Sequence, residues 1–183
     1  MSQGNPWKTL SQSVVYENAW IQVQEDQVLR PDGKPGIYGV VSYKNKAVGV
    51  LPVDNEGNVY LVGQFRYPLG FYSWEIPEGG CPFGEDTLNA AVRELKEETG
   101  LTAGHYEVLG RAHLSNSVSD EEAIFYLATD LTEGAPQPEG TESLQLRRLP
   151  FSEVLAMVER GEITDALSVL AIQSYALRVR PSG

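Results

Sequence analysis

The sequence predicts a mixed α/β (α+β) fold, a layered sheet with helices on its faces, preceded by an N-terminal antiparallel β segment. Three observations point there: strand-like segments come first, a strongly periodic helix is inserted after them, and the tail is helical. The regular strand-helix alternation of a doubly wound parallel sheet is missing.

Taken in order, Val14 to Tyr16 and Trp20 to Arg30 read as strands, the latter because Ile21, Val23, Glu25 and Gln27 alternate against their neighbours. Ile37 to Tyr43 follows the PDGKPG turn as a third strand. AVGVLPV at 47–53 is apolar throughout and reads as a buried strand; DNEGN at 54–58 turns into VYLVGQFR at 59–66. FYSWEIP at 71–77 is a short strand ending at a proline, and EGGCPFGED reads as a glycine-rich loop before a helix from Asp86 to Thr99. Strands around Glu107 to Leu114 and Ala123 to Leu131 follow. After them come a polar loop at 132–142, a strand at 143–149 and two tail helices, SEVLAMVERG and TDALSVLAIQSYALRV. The expected division is a β segment at 1–45 and a main domain at 46–183.

At 183 residues the chain is long enough for one well-buried domain. Its 42% hydrophobic and 21% charged residues are those of a globular protein. MSQGNPWK lacks a basic stretch followed by an apolar one, and no apolar run approaches the roughly 18 residues of a membrane span. The reading is a soluble, cytoplasmic protein that binds no membrane. One cysteine, Cys81, and two histidines, His105 and His113, exclude a cysteine-based zinc cluster and disfavour a histidine-rich site, so any metal would be held by oxygen. A net charge of -11 opposes non-specific nucleic-acid binding.

The stretch RELKEETGL at 93–101 crowds Glu94, Glu97 and Glu98 into one turn, where like charges repel. Leu88, Ala91, Val92 and Leu95 fall at helical spacing and form the stripe expected to pack on the sheet. At about 100° per residue from Leu88, the glutamates lie near 240°, 180° and 280°, with Arg93 and Lys96 on the other flank. A solvated face and a site for a hard cation both fit that arc.

The view upstream resolves more. Gly79, five residues, Glu85, seven residues, then Arg93-Glu94-Leu95-Lys96-Glu97-Glu98-Thr99-Gly100-Leu101 fill every position of a 23-residue pattern that resembles the Nudix hydrolase signature. VGQFRYP at 62–68, WEIPEGG at 74–80, SNSVSDE at 115–121 and GEITDALSVLAI at 161–172 extend the resemblance to the ADP-ribose and nucleoside-diphosphate-sugar pyrophosphatases.

The resemblance implies an α/β/α sandwich with a mixed sheet and metal-dependent hydrolysis of the pyrophosphate bond in nucleoside diphosphate sugars. That is a hydrolase acting on phosphorus-containing anhydrides. It implies Mg²⁺ or Mn²⁺ as cofactor, held by Glu94, Glu97 and Glu98, with the carbonyl of Glu78 or Gly79 and a peripheral Glu85. Arg93 would orient a box glutamate, and Arg66, Glu75 and Glu121 would lie near the substrate. Trp20 or Tyr16 is a candidate for stacking on a base, against the plainer role of a strand aromatic. The general base would come from the 132–142 loop, Glu142 before Glu139. The N-terminal strands would exchange between two subunits of a homodimer. The pattern departs at Asn116, where ADP-ribose-specific enzymes carry proline, which points to a broader range of sugar nucleotides. Alternatives are another Nudix specificity, such as GDP-mannose, dinucleotides or nucleoside triphosphates, and a non-catalytic Nudix ligand sensor.

Overall fold

The computed structural model describes residues 4–135 and 144–179. Its elements run β1 (Lys8–Glu17), β2 (Ile21–Leu29), β3 (Pro35–Tyr43), β4 (Asn45–Pro52), β5 (Asn58–Arg66), β6 (Phe71–Glu75), β7 (Glu78–Pro82), α1 (Thr87–Thr99), β8 (Thr102–His113), β9 (Glu122–Thr132), β10 (Gln145–Pro150), α2 (Phe151–Glu159) and α3 (Ala166–Val179). No helix among the described residues is long and apolar enough to cross a membrane.

The chain divides into two compact units. The first comprises residues 1–45 with 113–121 and holds the antiparallel sheet β1-β2-β3. Its register runs from Ile21 opposite Tyr43 to Leu29 opposite Pro35. The segment 113–121 joins this unit by Val41 N to Val118 O, by Tyr38 Oη donating to Ser117 O at 2.7 Å, and by Tyr43 N to Asp120 Oδ1. β1 is longer than the three residues its pattern suggested, because all ten of its residues are exposed and no face alternates for the eye to follow.

The second unit, residues 46–112 with 122–183, carries two sheets, β10-β5-β6 and β7-β4-β9-β8. β4 and β9 run parallel, Ala47 opposite Ala123 through Pro52 opposite Ala128, while β5 pairs antiparallel with both β6 and β10. The expected mixed sheet is therefore present. From Val48 to Pro52 and from Ala123 to Ala128 every residue is buried, so both faces of the central strands are covered. Val48, Val50, Ile124, Tyr126 and Ala128 face Ala90, Ala91 and Leu95 of α1. The alternate residue Gly49 faces the other way, where a Cβ would come within 2.7 Å of Leu167 on α3. One helix per face is the sandwich the sequence led us to expect.

Two expectations are corrected. The glycine-rich stretch after Pro77 is not all loop: Glu78–Pro82 forms β7, an edge strand beside β4. The stripe of α1 is also rotated. Leu88 and Val92 are each 38% exposed, whereas Ala90, Ala91, Glu94, Leu95, Glu98 and Thr99 are buried. On the helical wheel that face centres near 290°, about 60° from the apolar stripe and directly over two of the three glutamates.

The bounds of α1 follow from its caps. Asp86 stands in extended conformation and accepts from Leu88 N at 3.0 Å and Asn89 N at 3.2 Å. Gly100 takes φ +75°, and its N–H closes the last turn on Lys96 O. Asp86→Ala is expected to lower unfolding free energy by about 1 kcal/mol, read in urea as a lower midpoint at unchanged slope.

Candidate functional site

The buried glutamates of α1 are partnered from β7. Glu98, 5% exposed, accepts from Glu78 N through Oε2 at 2.9 Å, so the first residue of β7 is tied to the last turn of the helix. Gly79 follows in the strand, and a Cβ there would overlap the Glu94 carboxylate. The glycine is thus demanded by a side chain of the helix, where the sequence suggested a glycine-rich loop.

Arg93 gathers the remaining box carboxylates. Its Nη1 donates to Glu94 Oε1 at 2.7 Å and Glu97 Oε2 at 3.2 Å, and its Nη2 donates to Gly80 O at 2.9 Å. Glu85 Oε2 lies 3.5 Å from the same Nη2. Burial works against the guanidinium's charge, but the charge and hydrogen bond of Glu94, with Glu97 and Glu85 behind it, raise its pKa above the ordinary value. Arg93 and Glu97 are in the helical order that isolated peptides favour less, yet they pair, because burial and Gly80 O hold the arginine in place.

A second cluster lies on β5, β6 and β7. Arg66 Nε donates to both oxygens of Glu75 at 3.0 Å, and Nη2 donates to Glu75 Oε2 and to Glu78 Oε1, the latter at 2.8 Å. Glu75 is 2% exposed and carries this bidentate pair. Glu78 is less well compensated: its Oε2 is buried without a hydrogen-bond partner. Burial first, then the charges of Asp165 and Glu75, push its carboxyl well above the usual carboxylate range, against the pull of Arg66.

Every box carboxylate that the sequence singled out therefore pairs with Arg93 or, for Glu98, with the N–H of Glu78. Glu121 and Trp20 belong to the first unit: Leu114 N donates to Glu121 O, and Trp20 is exposed with its N–H on Asn18 Oδ1. Tyr16 is exposed on β1. Glu139 and Glu142 lie outside the described residues. The sequence reading gave no role to Asp165, just before α3, whose charge bears on Arg66 and Glu78, or to Ser168 in its first turn, which accepts from Ile76 N. An Asp followed three residues on by Ser, opening a helix, was the available signal.

Among the described residues, no three carboxylate, imidazole or thiol groups already converge as a finished metal site. The donors nevertheless fit a hard divalent cation: all are oxygens, Gly79 lets the Glu94 carboxylate lie against the backbone of β7, and Glu78 keeps an orphaned buried oxygen.

Residues 43–167 match the NUDIX domain, and residues 7–41 match the nucleoside diphosphate sugar hydrolase N-terminal domain. An ADP-ribose pyrophosphatase of Mycobacterium tuberculosis is 32% identical over 91% of this chain and 81% of its own. One of Bacillus subtilis is 32% identical over 93% of each. A crystal structure described as an ADP compounds hydrolase superposes with a TM-score of 0.86 over 98% of this chain and 97% of its own; at 20% identity that likeness shows the fold.

The fit at Gly79 has a measurable consequence. Gly79→Ala is expected to destabilise the protein by about 1–3 kcal/mol in chemical denaturation. The added Glu94→Ala, by removing what the methyl strikes, should recover part of that loss, a coupling that a double-mutant cycle reads directly.

Proposed function

This chain belongs to the Nudix family, and from that premise we propose that it hydrolyses the pyrophosphate bond of nucleoside diphosphate sugars, ADP-ribose among them, to a nucleoside monophosphate and a sugar phosphate. The observation that carries the proposal is the complete set of box carboxylates held against β7, with Gly79 and Arg93 in place around it. A ligand-sensing relative could dispense with such a set; a hydrolase cannot.

The cofactor is Mg²⁺ or Mn²⁺, and the residues that would hold it are Glu94, Glu97 and Glu98, with Glu78 or Gly79 through its carbonyl and Glu85 at the periphery. Bound there, a divalent cation neutralises the diphosphate and lowers the pKa of the attacking water. The chain's own residues do the rest. Arg93 orients Glu94 and Glu97; Arg66, held flat against Glu75, presents a fixed guanidinium to a phosphate. Glu75, Glu121 and Trp20 contribute to substrate binding, and Glu142, or Glu139 in its place, takes the proton of the attacking water. Asn116 supports a range wider than ADP-ribose alone, since asparagine leaves φ free where proline would fix it.

The protein works in the cytoplasm as a homodimer joined through its N-terminal strands. β1 supports this: it is an edge strand exposed along its whole length and carries Leu10, Val14, Val15 and Tyr16.

A panel of nucleoside diphosphate sugars, dinucleotides and nucleoside triphosphates, assayed with Mg²⁺ and by product separation, tests the activity. Turnover confined to the sugar nucleotides is expected, and a folded protein inert on the whole panel would defeat the enzyme reading. Glu98→Gln keeps an oxygen to accept from Glu78 N, so it should melt close to wild type while losing about a hundredfold or more in turnover. Glu142→Gln should lower kcat far more than it weakens cation binding; equal losses would recast Glu142 as a ligand.

A further inference from the structure

The segment from Glu75 to Glu78 carries both carboxylates that hold Arg66 and the N–H that holds Glu98. Its backbone is anchored to three elements at once. Pro77 O accepts from Val50 N of β4 at 2.8 Å, and Glu78 N donates to Glu98 of α1. The third anchor is a side chain far away in sequence: Ser168, fully buried in the first turn of α3, accepts from Ile76 N through Oγ at 2.9 Å. Ser168 is itself set by its own N–H, which donates to Asp165 Oδ2 at 2.7 Å, and Asp165 is the acid whose charge bears on Glu78 and Arg66.

A second observation ties α3 to the same place. Gly49 lies under Leu167 and Ile76, and a Cβ there would stand 2.7 Å from Leu167 Cδ2 and 2.9 Å from Ile76 Cδ1. Neither neighbour can yield freely, since Leu167 is 2% exposed and Ile76 not at all. Gly49 therefore lets α3 come close enough for Ser168 to reach Ile76 N.

We propose that Ser168 is a positioning residue for the hydrolysis, acting through Ile76 to hold Glu75 and Glu78 against Arg66 and Glu98, with Gly49 as the contact that permits it. A serine that is fully buried needs a partner for its hydroxyl. Here the partner is the N–H of Ile76, and the residues that flank it, Glu75 and Glu78, belong to the site. Loss of the hydroxyl frees the segment at its centre. Displacements near an ångström at a catalytic group cost far more in rate than in stability.

The proposal rests on the hydrolase reading, so the test has two arms. In Ser168→Ala, kcat should fall about tenfold or more with KM within about threefold, since transition-state contacts are lost and uniform binding is kept. In the same variant the amides of Ile76 and Glu78 should exchange hydrogen about tenfold faster or more, without cation or substrate present. Gly49→Ala should reproduce both effects. Val154→Ala, which opens a cavity at a fully buried position on α2, should lower thermal stability and leave both readouts unchanged. The proposal is overturned if Ser168→Ala keeps its kcat within about threefold of wild type, or if Val154→Ala loses as much at equal loss of stability. Should the wild type prove inert on every substrate, the hydrolase reading fails by itself. The exchange of Glu78 still decides whether Ser168 positions the segment, and unchanged protection overturns that.

Discussion

Two carboxylates on the packing face of α1 set the terms for the surrounding structure. Glu94 and Glu98 are 9% and 5% exposed, on the same face as Ala90, Ala91 and Leu95. Removing an unpaired carboxylate from water costs several kcal/mol, more than the roughly 2 kcal/mol that burying a leucine returns, so the helix can dock only where partners wait. β7 supplies them: the N–H of Glu78 meets Glu98, the missing side chain of Gly79 makes room for Glu94, and Gly80 O holds the arginine that pairs with Glu94. An edge strand of five residues is thus shaped residue by residue by the helix it faces.

Stability alone does not account for that arrangement. Well-packed apolar residues in place of a buried ion pair are commonly neutral or stabilising, and Arg66 and Arg93 each hold more than one carboxylate. Glu78 goes further, with one buried oxygen left unpartnered and a carboxyl driven upward by burial and by Asp165. Local rules of this kind are broken where a site needs them broken. The hydrophobic effect carries the sandwich through Val48, Val50, Leu51, Ile124 and Phe125, and the polar site draws on the order that this core imposes.

What could be read from the chain depended on how local the cause was. Asp86 and Gly100 announce the ends of α1 because caps act within three or four residues, and the central strands show as apolar runs because both faces are covered. β1 shows only in part because an exposed strand has no buried face to betray its period, and β7 reads as loop because Gly79 answers to Glu94 and not to a turn. The buried face of α1 is hidden for a related reason: apolar periodicity points to Leu88 and Val92, which are partly exposed, while Glu94 and Glu98 lie inside. The spacing of the box was legible as a pattern, but which carboxylate would meet which arginine was not. Arg66 reaches Glu75 and Glu78 across a hairpin, and Ser168 reaches Ile76 over 92 residues.

Charge count then bears on what such a site can accept. Around the two arginines stand Glu75, Glu78, Glu85, Glu94, Glu97 and Glu98, six carboxylates against two guanidiniums, within a chain whose net charge is already -11. Six carboxylates against two guanidiniums leave an excess of up to four negative charges, and the charge of Asp165 bears on Arg66 and Glu78 as well. Both arginines are already engaged, so a diphosphate arriving alone would meet a field of its own sign. Roughly two divalent cations would cancel the deficit and still leave coordination positions for phosphate oxygen, which is the habit of Mg²⁺. An anionic ligand and the cation are therefore coupled in this protein by electrostatics: the carboxylates that repel the first are what attract the second. Arg93, lying between Glu94, Glu97 and Glu85, holds those acids together.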